Sequence, residues 1–329
     1  MKTNKYLVVS LLAVMALSSC SNDENYIDEP KTAENLDLSA GISTSTRAVI
    51  DANYGSNLNV AFVRVDNPTS PGNNWMSSVN AVRAGGNGNT AITFDNTETY
   101  AAMNVASYLL GFYPRPATPT TAGNPVNVGY TITGDEDIMA TAIQSGSTNA
   151  HFQPFTFNHL LTQLQFQCVG SSDALELWTG ITSITVQDVP NTLTLAIDKD
   201  RVNLVPELSL VGGAPDTNLP IFNCPDTLAA ASSDKQTGYI MLYPTVGLGG
   251  ADDTPITLEV TGMYRATTSV AAQQVTRTVT IDNIAGGVRA SQSHLLTLTF
   301  TVDGEINTPA GIAEWLPGNG GGTTVTPRD

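Results

Sequence analysis

Leu36-Asp37-Leu38-Ser39-Ala40-Gly41-Ile42-Ser43-Thr44-Ser45-Thr46-Arg47-Ala48-Val49-Ile50 decides how the rest of this chain is read. Leu36, Leu38, Ala40 and Ile42 alternate with Asp37, Ser39, Gly41 and Ser43. A period of two sends one set to a buried face and the other toward solvent, which predicts a half-buried β-strand. The pattern continues through Thr44, Ser45 and Thr46 and closes at Arg47, the only arginine before Arg64. A fresh apolar start, Ala48-Val49-Ile50, follows. A lone arginine between a strand and a new apolar run marks a site for an arginine-specific protease. The Arg47–Ala48 bond would be cut, and the strand before it reads as detachable.

Upstream of the strand lies an export signal. Lys2 and Lys5 give a positive start, and Leu7 to Leu17 is a short apolar run. Spanning a bilayer takes about 20 apolar residues, so this run is a processing segment and not an anchor helix. Leu17-Ser18-Ser19-Cys20 matches the lipobox of a bacterial lipoprotein, which makes Cys20 the acylated N-terminus and attaches the precursor to a membrane. Each buried acyl CH₂ contributes about 0.8 kcal/mol, so several chains hold it there. Ser21 to Glu34 is polar and acidic and reads as a tether. Residues 1–20 are therefore a lipoprotein signal peptide and 21–47 a propeptide carrying the strand.

Downstream, 282 residues remain, enough for two domains of ordinary size. The chain of 329 residues is 41% hydrophobic, only 13% charged and carries a net charge of −16. Residues beyond Arg47 hold 10 basic against 24 acidic side chains. Such a surface repels nucleic acid, and no basic cluster offsets it. Short apolar runs punctuated by Gly, Pro, Asn and Asp fill the chain. They include Leu58–Val65, Ala91–Phe94, Ala106–Tyr113, Ile181–Val186, Leu193–Ile197, Tyr239–Tyr243, Ile256–Val260, Val275–Ile281 and Leu295–Val302. This predicts all-β antiparallel sandwiches, with one domain over 48–170 and a second over 171–302. His151 to Val169 is the densest apolar stretch and is expected to form a core hairpin or strand pair. Short helices are expected near Asp173–Thr179 and Asp226–Ser232. No internal repeat is evident.

Residues 303–329 extend past the last strong strand and contain Ile306, Ile312, Trp315 and Val325. At about 3.3 Å per residue they reach roughly 90 Å. They either lie along a neighbouring molecule as a donor strand or return to their own domain. Cys168 and Cys224 either form a disulfide, which an export route permits, or remain thiols, Cys168 within a strand.

No catalytic constellation is present. His151, His159 and His294 match no metalloprotease spacing, and there is neither a nucleophile elbow nor a phosphate-binding loop. His159 reads as a hydrogen-bonded core histidine. Asp135-Glu136-Asp137 and Asp252-Asp253 carry hard-ion ligands without the spacing of a calcium loop, and read as solvated turns. No metal or cofactor is expected.

The lipobox, the strand ending in Thr46-Arg47-Ala48, Phe157-x-His159-x-Leu161 and the late Ile312-x-x-Trp315 together resemble the fimbrillin family. These are the type V pilins of Gram-negative gut and oral bacteria, FimA-like and Mfa-like proteins among them. The resemblance implies two β-sandwich domains of transthyretin-like topology and an outer-membrane lipoprotein precursor. It implies cleavage after Arg47 and a cell-surface fimbrium supporting adhesion and biofilm formation. In such a subunit Leu36, Leu38, Ala40 and Ile42 would fill a groove until removed, and a strand from another copy or a related pilin would then enter, giving a head-to-tail polymer. The long tail favours a stalk subunit over a tip. The alternative is a monomeric surface lipoprotein that binds glycans through Trp75, Trp178 and Tyr264.

Overall fold

The computed structural model describes residues 33–43, 50–230, 236–250 and 254–308. Cys20, Arg47, Ala48, Ile312, Trp315, Val325 and the Asp252–Asp253 pair lie outside these residues. In the first half the strands are β1 (Leu38–Ile42), β2 (Leu58–Asp66), β3 (Val79–Arg83), β4 (Thr90–Phe94), β5 (Ser107–Tyr113), β6 (Val126–Thr131), β7 (Met139–Ala140), β8 (Gln144–Gly146) and β9 (Phe155–His159). In the second they are β10 (Thr162–Gly170), β11 (Trp178–Val189), β12 (Thr192–Ile197), β13 (Leu208–Leu210), β14 (Thr217–Pro220) and β15 (Ala229–Ala230). β16 (Gly238–Leu242), β17 (Ile256–Tyr264), β18 (Gln273–Ile281), β19 (Ser293–Phe300) and β20 (Ile306–Asn307) complete it. A single short α-helix among the described residues, α1 (Ser172–Leu177), starts where the Ser171 hydroxyl accepts from the Ala174 N–H.

The chain is all-β, and its sheets are mixed. β1 runs parallel to β9, and β10 runs parallel to both β15 and β19. The expectation of purely antiparallel sheets is corrected to that extent. In the second half β10, β15, β16, β19 and β20 form one sheet, and β14, β11, β17 and β18 the other. Leu164, Phe166, Leu296 and Leu298 on one face meet Ile184, Val186, Leu258 and Val260 on the other in one buried core. This is a two-sheet sandwich.

The first half is built around β2 and β5, which are covered on both faces. Val60, Phe62 and Leu109 face one core, while Ala61, Val63, Leu110 and Phe112 face another, covered by the three-stranded sheet β13-β12-β6. A strand buried on both sides reads as a continuous apolar run, which is why Val63 breaks the alternation. The β12–β13 hairpin thus comes from the second half of the sequence and packs on the first.

Two local expectations are corrected. The stretch 151–169 is not a hairpin: β9 pairs with β1 and β7, whereas β10 pairs with β15, β16 and β19. The chain passes from one sheet system to the other at Leu160–Leu161, both buried, so a single apolar run serves two cores. Near 226–232 the described part is not helical; Ala229–Ala230 is strand β15. Cys168 and Cys224 are free thiols, so the disulfide left open by sequence is not formed. Burial raises both thiols above their ordinary pKa, and the neighbouring Cys224 adds to the effect on Cys168.

Candidate functional site

The strand that closes the first half is the one nearest the N-terminus. Strand pairing runs β2-β3-β4-β1-β9-β7-β5, and β5 returns to β2, so the strands form a closed ring. β1 is the link between β4 and β9. Its Leu38, Ser39 and Ala40 stand opposite Ile92, Ala91 and Thr90 in antiparallel register, while Ala40, Gly41 and Ile42 stand beside Phe155, Thr156 and Phe157 in parallel register. Ahead of β1, Asn35 bridges Thr99, and Leu36 and Tyr100 exchange backbone bonds with Glu98 and Glu34. After it, the Ser43 N–H donates to the Phe157 carbonyl at 2.8 Å. Without β1, both β4 and β9 would present unpaired edges, the template on which another strand adds.

Alternation carries Leu36, Leu38, Ala40 and Ile42 inward, where each is at most 6% exposed. They pack with Phe62, Phe155, Phe157, Leu58 and Ile92 in one core. Phe62 lies edge-on to Phe155 with ring centroids 5.5 Å apart. Gly111 on β5 makes room for this cluster: a Cβ there would stand 2.8 Å from the Phe62 ring. Burying each large aliphatic contributes about 1.5–3 kcal/mol, so Leu36, Leu38 and Ile42 together contribute about 5–9 kcal/mol. That is comparable with the whole stability of an ordinary domain.

Two buried polar groups face β1. The fully buried Arg83 side chain ends β3 on the inward face. Its Nε donates to the Ala40 carbonyl at 3.0 Å, Nη1 to Ala84 at 3.1 Å, and Nη2 to Gly86 and Gly88 at 3.2 and 2.9 Å. Among the described residues it pairs with four carbonyls and no carboxylate, and burial holds its pKa below the ordinary arginine value. β4 begins at Thr90, opposite Ala40, so Arg83 supplies the donor where the ladder has run out. At the far end, His159 Nδ1 lies 2.7 Å from Asp137 Oδ2, both side chains buried. Burial alone would lower the imidazole pKa, but Asp137 and the Ser43 backbone outweigh it and hold it above its usual value. Sequence reading did not single out Arg83. Its signal is an arginine in phase with the inward residues Val79 and Ala81.

The remaining expected site residues are dispersed. Ile306 is buried in the second core and pairs with Phe300 as part of β20. Each carboxylate of the 135–137 run is engaged by protein: Asp135 accepts from the Tyr239 hydroxyl, Glu136 from the Thr133 and Gly134 N–H groups, and Asp137 faces His159. Trp75 and Trp178 are core residues at 1% and 3% exposure. Tyr264 packs against Trp178, and its hydroxyl donates to the Val302 carbonyl. The rings of Trp75 and Trp178 are therefore not presented for stacking on a sugar, whereas Tyr264 is half-buried.

A family model described as fimbrillin-like matches residues 46–315. The chain belongs to the fimbrillin-like family, which makes it a structural, non-enzymatic, pilin-like protein of cell-surface adhesion. The match begins at Thr46, so β1 precedes it. In fold the chain is similar to a candidate cell adhesion protein from Bacteroides uniformis, at 13% identity and TM-score 0.53, over 85% of this chain and 98% of that one. A second, from Bacteroides ovatus, aligns at 14% identity and TM-score 0.54, over 88% and 100%. No curated protein matches the chain.

Proposed function

We propose that this chain is a structural subunit of cell-surface fimbriae whose first ring strand is a temporary occupant. The precursor is exported, acylated at Cys20 and carried to the outer membrane. An arginine-specific surface protease then cuts between Arg47 and Ala48. Loss of residues 21–47 opens the ring between β4 and β9, and a strand from the tail of another copy or of a related pilin fills it. The contact is head-to-tail and does not close on itself, so it yields a filament. A chain that both receives and donates a strand is a stalk subunit. In this reading the domain over 48–170 receives a strand, and the domain over 171–302 carries the tail that donates one.

The observation that carries this reading is the position of β1. It is an interior link of the ring, with Leu38, Ala40 and Ile42 buried and Leu36 buried just ahead of it, yet it lies five residues before Arg47, the only arginine ahead of Arg64. While covalently attached it holds the slot at an effective concentration no second molecule matches. Cutting removes that advantage and leaves the pairing groups of the slot unchanged. The glycan-binding reading gains nothing from Trp75 and Trp178, which are in the cores.

The test is the N-terminus of protein recovered from the cell surface, by intact mass and N-terminal sequencing. Ala48 as first residue is expected, with Arg47→Ala accumulating as monomer. An acylated Cys20 still attached to assembled protein would refute the cleavage model.

A further inference from the structure

The tail contains a short echo of the strand it would replace. Ile306-Asn307-Thr308-Pro309-Ala310-Gly311-Ile312 follows the pattern of Leu36-Asp37-Leu38-Ser39-Ala40-Gly41-Ile42 position by position. It is too brief to be an architectural repeat, but its three identities, Ala-Gly-Ile, fall at positions of β1 that are buried. Ala40 is fully buried. A Cβ on Gly41 would stand 2.7 Å from Asn89 Oδ1. Ile42 packs in the core beside Phe157.

We infer that Thr308–Ile312 of a second copy is the segment that refills the slot, in the register of Leu38–Ile42, with its Ala310 carbonyl on Arg83 Nε. This rests on the strand-exchange reading above and adds to it the segment, the register and a positioning residue. Arg83 suits the role because it reads a backbone carbonyl and not a side chain, so it serves whichever strand lies in the slot. It places that strand by fixing which carbonyl faces the end of β4.

The one proline in the segment fits. Ser43 N–H donates toward β9, and strand residues alternate in the side to which their N–H points, so the Ser39 N–H points toward β9 as well. The ladder with β9 begins only at Ala40. Proline in the place of Ser39 therefore forfeits no ladder bond, the condition under which strands accept it. Ile306 stays in its own sheet, where it pairs with Phe300, and roots the donor. Only Asn307 separates this root from Thr308, so at about 3.3 Å per residue the donor's β20 must lie within roughly 10 Å of the recipient's slot.

Thr308 takes the place of Leu38 and fills its pocket less well. The chain's own strand is thus the better occupant, and the donor succeeds only after cleavage removes its rival. Thr308→Leu should raise the yield of polymer several-fold at a fixed concentration of cleaved protein.

The register is tested by intersubunit cross-linking in the full chain. Ala91 is exposed and stands opposite Ser39, so Ala91→Cys with Pro309→Cys places two thiols on directly opposed strand residues, within disulfide reach. After cutting with an arginine-specific protease and mild oxidation, a ladder of covalent oligomers is expected on a non-reducing gel, absent before cleavage and absent from the parent chain. Thr93→Cys with Pro309→Cys reports a slip of two residues and should give less than a tenth of that ladder. Polymers that form without the 91–309 cross-link, or with equal cross-linking from Thr93, would overturn the segment and register while leaving strand exchange standing. A cleaved parent chain that forms no polymer would overturn both.

Discussion

β1 and β20 are the two terminal strands of the described chain, and they are held in opposite ways. β1 is paired on both edges and closes a ring. β20 is two residues long and pairs only with the outer edge of β19. β1 buries Leu38, Ala40 and Ile42, with Leu36 just ahead of it; β20 buries Ile306 alone. The strand with more contacts precedes the arginine proposed as the cleavage site, and the weaker one leads into the tail proposed as the donor. An interior strand becomes removable only by cutting the chain, whereas an edge strand can lead a segment elsewhere at no cost to its own core.

The largest effect expected to break this contrast is Leu38→Asp. It buries an unpaired carboxylate in the apolar core that β1 shares with Phe62 and Ile92, and should destabilise the uncut protein by about 3–5 kcal/mol, the scale of an uncompensated buried charge. Urea denaturation measures the loss, and light scattering should show association without cleavage because the slot is no longer held. Truncation sharpens the contrast. Leu38→Ala should cost about 2–4 kcal/mol and Ile306→Ala clearly less, since β20 is an edge; equal losses would erase the distinction between the two strands. Arg83→Met removes donors from four carbonyls and is expected to cost about 2 kcal/mol, with Arg83→Lys restoring the charge but not the fork.

The smallest effect is a pH slope. The folded His159 imidazole is held above its ordinary pKa by Asp137 and the Ser43 backbone, against the opposing pull of burial, with Asp51 adding a further raising influence. A raised folded pKa contributes stability that is fully present below the unfolded value, near 6.5, and is lost as pH rises through the folded one. Thermal midpoints of the uncut chain should therefore fall from pH 6 toward higher pH, and His159→Gln should flatten the slope.

The strands with clean alternation were legible in sequence. Leu193–Ile197 and Ile256–Val260 each fall within a strand whose inward residues are those in phase, and the strand expected from Leu36 onward begins at Leu38 with all four in-phase side chains buried. What was not legible has physical causes. Phe155–Gly170 is one apolar run whose two strands serve different sheets, and local pattern carries no record of which partner a strand takes. β6, with Val126 and Val128 inward, is short and follows a proline-rich loop, and its partner β12 lies about 65 residues away. Ring closure by β1 depends on long-range pairings with β4 and β9. Arg83 escaped notice because a lone arginine reads as surface until its burial is known.

The most direct test of the central claim is the composition of the assembled polymer. Full-length chain is cut with an arginine-specific protease, polymers are isolated by size, and denaturing mass spectrometry asks whether the fragment ending at Arg47 travels with them. The account predicts polymers built of chains that begin at Ala48 and lack that fragment. A stoichiometric amount of it retained in the polymers would mean that β1 never leaves its place between β4 and β9, and would contradict the account.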